Sequence, residues 1–449
     1  MAEILRVVSG PTASRTTVID LLSSVNVLSN FSAPAPRLRR SSVSSFQADG
    51  SVDAATAWDD RELAITFAVQ GSSEDQAAFV SQILGRTFAR PCWLEFQGGT
   101  SKPVFFRTRA TTLDAVEDYG PSNPGVRLIT VVVPADPFAY GLPETGTTTV
   151  SNDPTATDGM RFTITGVKGD VPAPVNLSLS FSAGANRMLV ASSTHGALDH
   201  VSVLSDSTQT ALWAANGYVA TTVAGDSTAI GSSFRRFTGS TVNTPAATVN
   251  FSLSQQTILP GDYRIFLRAK SATTGVRIAI RNTATGALLD SGRELPTTGW
   301  QWIDFGVIRV PTSSRRATPW SPATTTTDTL AATALITAPS SSTVIDLDHV
   351  VFVPAPGGDE EDGRLLLGRW QRDGTPTVPQ AQVDSVSESL WSPGAWDLNW
   401  SAAGGFPLVT PAATNLVVIM PWITSYDSKT VSTTVNWSYH PRYLTLRGD

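Results

Sequence analysis

The stretch VRLITVVVPADPFAYG, residues 126–141, decides how the first part of this chain folds. Its first half is a run of β-branched and aliphatic residues, which predicts a strand through Val131–Val133. Pro134 has no amide hydrogen to donate to a neighbouring strand, so the strand is expected to stop there. Pro137 then predicts a rigid, extended exit that carries the chain out of this region.

The composition indicates a mainly β protein with several domains. A length of 449 residues suggests about three domains. Hydrophobic residues make up 41% of the chain, which is enough for real cores, while charged residues make up only 16%. With 34 glycines and 29 prolines, the chain turns often and favours short strands.

Charge and cysteine content exclude several classes of partner and site. The formal net charge of −6 is mild and indicates neither a nucleic-acid-specific partner nor an anionic membrane. The single cysteine, Cys92, excludes a disulfide framework and a cysteine metal cluster, and it favours assembly in a reducing cytoplasm. The N-terminus lacks a signal-peptide pattern and no run of about 18 apolar residues exists, so membrane insertion is not expected.

The first region of the sequence predicts one sheet with one helix. Arg61–Val69 alternates apolar and polar residues, as a half-buried strand does. Cys92–Gln97 and Pro103–Leu113 are predicted to form a hairpin joined through two glycines. Together with the strand at 126–133, these segments form a sheet that the helix covers.

The helix of this region is predicted over Ser72–Phe88. Ser73 and Gln76 have the spacing of a capping box, which marks a helix start. The apolar residues of the helix are expected to form one buried stripe, made of Phe79, Val80, Ile83, Leu84 and Phe88.

The remaining sequence predicts two β-sandwiches, one inserted into the other. Strands at 159–165 and 174–181 open a sandwich, and the tryptophan-rich segment 388–449 supplies its closing strands. Between these parts lies a region with its own rhythm of strands and turns, ending in VIDLDHVVFVP at 344–354. The predicted domains are 1–142, a split domain of 143–195 and 360–449, and an insert of 196–359.

Several patterns in the sequence resemble phage distal tail proteins. The order strand, helix, hairpin and strand, followed by the DPFAY exit at 136–140, resembles their first or belt domain. Phe406–Val409 and Thr414–Val418 resemble the closing strands of their galectin-like second domain. The strands at 261–269 and 300–310 resemble galactose-binding-like jelly rolls, which are common carbohydrate-binding modules. The resemblance implies a mainly β chain: a sheet-plus-one-helix belt domain, a split galectin-like β-sandwich and an inserted jelly-roll β-sandwich.

The same resemblance implies a structural virion protein at the tail tip of a long-tailed phage, assembled in the host cytoplasm, and not an enzyme. It implies a homo-hexameric ring that joins the tail tube protein to the baseplate hub, with the tape measure protein as a further partner. The insert would project outward and contact host cell-wall polysaccharide. The alternative is a secreted or cell-surface carbohydrate-binding accessory protein. A glycoside hydrolase ranks last, because no two carboxylates are convincingly paired.

Candidate glycan-binding residues lie in the insert. A flat aromatic ring binds the face of a sugar only where the ring is open to solvent. Trp213 and Trp320 lie in loop-like surroundings and are the predicted platforms. Arg235 and Arg236 are predicted to add contacts to hydroxyl groups or acidic sugars.

Two other pairs in the insert share a strand face because they are two residues apart. Trp300 and Trp302 are expected to fill the core of a sandwich. Asp346 and Asp348 repel each other unless they are solvated or bridged, and a bound structural calcium is one way to bridge them. No set of residues predicts a catalytic centre or a cofactor.

Overall fold

The computed structural model describes most of the chain. The described residues are 3–44, 51–99, 101–118, 123, 125–151, 160–194, 199–202, 218–226, 228–229, 233–239, 248–251, 261–282, 287–297, 299–310, 330–336, 343–354, 363–370, 377–393, 400–422 and 432–446. In this part of the chain the fold is mainly β, with several antiparallel sheets and one α-helix. No described helix is long and apolar enough to span a membrane.

The helix and strands are numbered in chain order. The first group is β1 Ile4–Val8, β2 Thr17–Asp20, β3 Asn26–Ser32, β4 Leu38–Ser44, β5 Ser51–Trp58, β6 Arg61–Gln70, α1 Glu74–Phe88, β7 Cys92–Gln97, β8 Val104–Thr108, β9 Ala115–Asp118, β10 Val126–Ala135 and β11 Ala139–Tyr140. The second is β12 Glu144–Ser151, β13 Arg161–Ile164, β14 Ala173–Ala185, β15 Arg187–Ser193, β16 Asp199–Ser202, β17 Tyr218–Ala224, β18 Ser233–Gly239, β19 Thr248–Phe251, β20 Gly261–Ser271, β21 Val276–Asn282, β22 Arg293–Glu294, β23 Gln301–Val310, β24 Leu330–Ile336 and β25 Thr343–Pro354. The third is β26 Gly363–Trp370, β27 Val378–Asp384, β28 Ser389–Trp391, β29 Trp400–Gly404, β30 Leu408–Val409, β31 Asn415–Trp422, β32 Ser432–Tyr439 and β33 Arg442–Tyr443.

Chain contacts divide the protein into two compact units. The first comprises Met1–Thr145, Val167–Ala173 and Ser438–Asp449, and the second comprises Gly146–Gly166 and Pro174–Trp437. Ser438–Asp449, part of the segment 360–449 that the sequence predicts for the split sandwich, falls in the first of these units. The division into three domains with boundaries at 142, 195 and 359 stays a prediction.

The strand β10, which the opening stretch predicts, lies within the sheet of the first unit. The main path of this sheet has the order β2-β1-β7-β8-β10-β6-β3. β10 pairs with β6 along its whole length, from Val126 opposite Gln70 to Ala135 opposite Arg61. The antiparallel pairing of β7 with β8 confirms the predicted hairpin. The alternating residues of β6 are fully buried, as predicted: Leu63, Ile65, Phe67 and Val69.

Strand β10 does not stop at Pro134, as the sequence predicts, but continues to Ala135. Pro134 lies opposite Glu62 of β6. Its carbonyl accepts a hydrogen bond from the Arg109 amide at 2.8 Å, on the side where β8 has already ended at Thr108. The amide and carbonyl of a strand residue point to the same side, so the missing amide hydrogen of the proline also faces past the end of β8. The proline is therefore tolerated inside a strand.

Helix α1 lies where the sequence predicts, but its apolar stripe is partly wrong. The Ser73 hydroxyl accepts from the Gln76 amide at 3.3 Å, and the Gln76 side chain accepts in return from the Ser72 amide at 2.7 Å. Phe79, expected in the stripe, is 61% exposed. It lies about 200° around the helix from Ala77, which is buried in its place. The helix thus packs on its sheet through Ala77, Leu84 and Phe88.

The last strand of the chain completes the first unit. β33 pairs antiparallel with β11, so that Tyr443 lies opposite Ala139. Arg61, only 2% exposed, donates a hydrogen bond to the Pro137 carbonyl at 2.7 Å. It also donates to the carbonyls of Tyr443 and Leu444, at 3.4 and 3.3 Å. One buried guanidinium therefore holds both the exit after β10 and the C-terminal strand.

The second unit contains a sandwich whose strands come from both sides of the insert, called the split sandwich below. Its sheets have the orders β12-β32-β14-β27-β28 and β13-β31-β15-β26-β29. β15, which precedes the insert, pairs with β26 and β31, which follow it. The two sequence segments therefore contribute neighbouring strands to the same sheets.

The insert strands, β16 to β25, pair only with one another among the described strands. They form sheets of order β17-β18-β25-β20-β23 and β19-β24-β21-β22. Phe266 and Val353 of the first of these sheets pack against Leu189 and Met420 of the split sandwich. The jelly-roll topology of the insert stays a prediction.

Candidate functional site

The predicted glycan-binding residues lie in different parts of the insert. Trp213 and Trp320 fall outside the described residues, so their role as platforms stays a prediction. Arg235 and Arg236 are consecutive residues of β18, opposite Leu347 and Asp346 of β25. Successive side chains of a strand point to opposite faces, so the two arginines do not share one binding surface.

Arg236 belongs to a cluster of charges on one face of the insert sheet. Its guanidinium donates two hydrogen bonds to the Asp346 carboxylate, at 2.8 and 2.9 Å, which raise the pKa of Arg236 above its usual value. The Lys270 ammonium lies 3.6 Å from an Asp226 oxygen and 4.0 Å from an Asp346 oxygen. The Arg236 side chain is 41% exposed, whereas that of Asp346 is 3% exposed. Arg236 is therefore the outward-facing member of this cluster.

Trp300 forms the floor of the same cluster and does not offer an open ring. It is 5% exposed and meets Phe234 edge to face, with ring centroids 5.0 Å apart. The Lys270 ammonium lies 4.3 Å from the centre of the Trp300 ring, and the Arg268 guanidinium carbon lies 5.0 Å from it. The indole nitrogen donates to the Thr228 hydroxyl at 3.1 Å. The prediction that Trp300 belongs to the core is therefore confirmed.

Trp302, which lies in β23 two residues after Trp300, is half-buried. It packs against a cluster that includes Phe266 of the insert and Leu189 of the split sandwich. Its position joins the insert to the split sandwich inside the second unit. Neither tryptophan of the pair is thus available as an open platform for a sugar.

Asp346 and Asp348 are bridged by cations of the protein itself. Asp346 pairs with Arg236, as described, and the Asp348 carboxylate forms an ion pair with Arg268. The Arg268 and Asp348 side chains are both fully buried, and Arg268 also donates to the Thr228 carbonyl at 2.9 Å. The guanidinium groups of Arg236 and Arg268 thus neutralise the two carboxylates, a role that the sequence analysis considered for a calcium ion. No group of three potential metal-ligating side chains occurs among the residues that the structure describes.

The first unit has a different kind of surface, a groove beside α1 with a volume of about 930 Å³. Its apolar lining includes Val7, Val18, Ile19, Ile83, Pro91 and Trp93. Arg86 and Arg90, at the end of the helix and just after it, also line the groove, and both are exposed. Val18 is 61% exposed although it is apolar. The groove therefore combines an apolar floor with a basic rim.

Glu95 fastens the strand beside this groove. Its side chain is fully buried and accepts hydrogen bonds from Arg6, at 2.8 and 3.0 Å, and from Arg15, at 2.8 and 2.6 Å. Burial opposes ionisation, but the hydrogen bonds from Arg15 and Arg6 outweigh it and hold the pKa of Glu95 below its usual value. The carboxylate thus joins β7 to β1 and to the turn before β2.

Sequence reasoning missed the buried arginines Arg61 and Arg268. A signal for Arg61 was present, because it lies in phase with Leu63 and Ile65, which the alternation predicted to be buried. The partners of Arg61 are carbonyl groups from distant parts of the chain, which no sequence pattern reveals. Arg268 likewise meets Asp348 through strand pairing between segments 80 residues apart.

Comparison with protein-family models and with curated protein sequences finds no match. Among solved structures, the chain is similar to the SPP1 Dit (gp 19.1) protein, described as a paradigm of the hub adsorption apparatus in phages that infect Gram-positive bacteria. The identity is 12%, with 78% of this chain and 99% of that chain covered and a TM-score of 0.31. A chain of the phage p2 baseplate in its activated conformation with Sr is 8% identical, covering 79% and 99% of the two chains, with a TM-score of 0.24. At identities and TM-scores this low, the similarities assign no function to this chain.

Proposed function

We propose that this chain is a structural protein of the tail tip of a long-tailed phage. In this role its first unit forms a homo-hexameric ring that joins the tail tube protein to the baseplate hub, with the tape measure protein as a further neighbour. The observation that carries the proposal is the architecture of the chain itself. A sheet covered by one helix leads through the Asp136–Tyr140 exit into a β-sandwich that a second sandwich interrupts.

A ring requires two different surfaces on each copy, because a closed cyclic assembly repeats a head-to-tail contact around an axis. Among the described strands, β2 and β3 end the main path of the first unit's sheet, and the unit also has an apolar groove. Sheet edges and apolar grooves are surfaces of the kind that such a contact uses. The assignment of the ring contact to the first unit rests on these edges and on this groove.

Electron microscopy and mass photometry of the purified full-length protein test the proposal. Rings of six copies are the expected result. Compact monomers at micromolar concentration would contradict it and would favour a carbohydrate-binding accessory protein. The class averages also report the symmetry, so a ring of another order would correct the number of copies without removing the tail-tip role.

The proposal assigns contact with host cell-wall polysaccharide to the insert. Its support is the outward-facing guanidinium of Arg236 beside buried aromatic rings, a type of group that binds acidic sugars. Binding of the full-length protein to purified cell-wall polysaccharide is expected to weaken in Arg236→Ala and to persist in Arg235→Ala, on the opposite face. Trp320→Ala tests the predicted platform in the same assay. Equal binding by all three variants and the parent would remove these residues from the proposal.

A further inference from the structure

Two surfaces of the first unit have complementary forms, a groove and an edge strand, and opposite charges. One is the groove beside α1, with its apolar floor and basic rim. The other is β9, a short edge strand with an acidic, apolar-tipped surface. We propose that the groove of one copy receives β9 of the next copy, and that this contact builds the ring. The inference rests on the proposed function, because it names the residues through which the first unit would assemble.

The groove extends onto the exposed side of α1. Phe79 lies four residues before Ile83, so both are on the same side of the helix, and Ile83 lines the groove. Phe79 and Val18 are each 61% exposed, and Val18 lines the groove. The stripe formed by these residues is left uncovered by the described chain. It offers apolar area that a second copy can bury.

The rim of the groove carries positive charge. Arg86 and Arg90 are exposed, and neither forms an ion pair with another residue that the structure describes. Both lie where the C-terminal end of α1 meets the start of β7. An occupant of this groove should therefore have apolar side chains flanked by carboxylates.

β9 has that composition. All four of its residues, Ala115–Asp118, are exposed, and Val116 is 46% exposed. Asp114 and Glu117 add negative charge, while Asp118 pairs with Arg127 at 3.2 Å. Among the described strands β9 pairs only with β10, so its outer edge carries backbone groups that another strand can meet. Val116 shares one face of β9 with Asp114, and Glu117 lies on the other face, so this edge strand carries negative charge on both faces around one apolar side chain.

The two surfaces lie on opposite sides of α1. Ser81 faces the β9 side, where its hydroxyl lies 3.4 Å from Arg127, and Gly85 lies close to Leu113, just before β9. Ile83 and Arg86 face the groove, between about 100° and 200° around the helix from those two residues. A copy with its two complementary surfaces on opposite sides of one helix joins its neighbours head to tail. Such contacts close into rings or run into filaments, whereas a two-fold dimer needs one self-complementary surface.

Charge reversal in the full-length protein tests the contact. One variant, the groove variant, carries Arg86→Glu and Arg90→Glu; the other, the strand variant, carries Asp114→Arg and Glu117→Arg. Each variant alone should lose assembly by about 100-fold or more in concentration, because it brings like charges together. Mixed in equal amounts, the two variants should assemble again, since every contact in an alternating ring then joins opposite charges. Mass photometry of the two single samples and of the mixture gives the result.

A matched control carries Arg37→Glu and Arg364→Glu, two exposed arginines that, like Arg86 and Arg90, form no ion pair with a described residue; they change the net charge as the groove variant does but lie outside both surfaces. It should assemble like the parent. Rings in the groove variant alone, or the same loss in the control, would overturn the assignment of the groove. A mixture that stays dissociated would overturn the pairing, and would mean that the acidic residues only protect a free edge. A parent protein without rings would instead refute the proposed function, and the contact with it.

Discussion

The buried ion pair between Arg268 and Asp348 should make Asp348→Asn one of the more costly single changes in the second unit. Both side chains are fully buried, and asparagine keeps the volume of aspartate while removing its charge. The change therefore removes the carboxylate charge that faces the buried Arg268 guanidinium. Removing one partner of a buried pair costs about 3–5 kcal/mol.

The surroundings of Arg268 place the expected value at the lower end of that range. Its guanidinium keeps the hydrogen bond to the Thr228 carbonyl at 2.9 Å and its position 5.0 Å from the Trp300 ring. A cation close to an aromatic face is stabilised by about 0.5–2 kcal/mol. The expected loss in the free energy of unfolding is therefore about 3 kcal/mol.

Urea denaturation of full-length protein, followed by tryptophan fluorescence, measures this loss. Asp304→Asn is the matched control, because Asp304 pairs with Arg264 in the same sheet but is 35% exposed, and it should cost about 1 kcal/mol or less. Replacing the buried pair together, as Arg268→Met with Asp348→Leu, should recover most of the loss. Equal costs for Asp348→Asn and Asp304→Asn, or a double variant as unstable as the single one, would refute the reasoning.

Three further predictions concern single positions. Ser73→Ala should destabilise the first unit by about 1 kcal/mol, because it removes the hydroxyl that caps α1, and thermal unfolding by circular dichroism measures this. Trp300→Ala should destabilise the second unit by about 3–5 kcal/mol, as expected of a ring in a core, and an unchanged melting temperature would contradict that position. Burial lowers the pKa of His440 below its usual 6.5, although the hydrogen bond to the Gly141 carbonyl acts in the opposite direction. Protonation of His440 therefore favours the unfolded state, and the free energy of unfolding should fall as the pH drops below about 6.5. His440→Gln should flatten that part of the stability curve, and a slope equal to that of the parent would show that other groups cause it.

Local periodicity predicted the parts of the fold that depend on neighbouring residues. The alternation in Arg61–Val69 identified a buried strand face, and the spacing of Ser73 and Gln76 marked the start of α1. The same reasoning failed at Phe79, because the apolar residues of α1 face two surfaces. One side meets the sheet, whereas on the other side Ile83 lines the groove and Phe79 is exposed. Periodicity counts apolar residues on a helix without showing which of them the rest of the chain covers.

Contacts between distant segments could not be predicted from the sequence. The strand β33 pairs with β11 although about 300 residues separate them, and its pairing depends on backbone groups that every residue has. The cluster around Arg236 and Asp346 depends on the register of β18 with β25, where a shift of one residue would move each side chain to the other face. For this reason Arg235 and Arg236 were grouped as one candidate site, although they point away from each other.

The position of the insert explains how the split sandwich tolerates it. The last residue of β15, Ser193, lies opposite the first residue of β26, Gly363, in neighbouring antiparallel strands. Residues 194–362 therefore occupy the place of a hairpin turn, where entry and exit are one strand apart and an added sandwich does not stretch the host. Lengthening such a connection adds little entropy cost, because loop closure depends only weakly on length. Phe266 and Val353 then bury apolar surface against the split sandwich, which holds the insert in one orientation. The insert can therefore vary in the residues it presents outward while the strands that carry the chain back to the first unit keep their pairing.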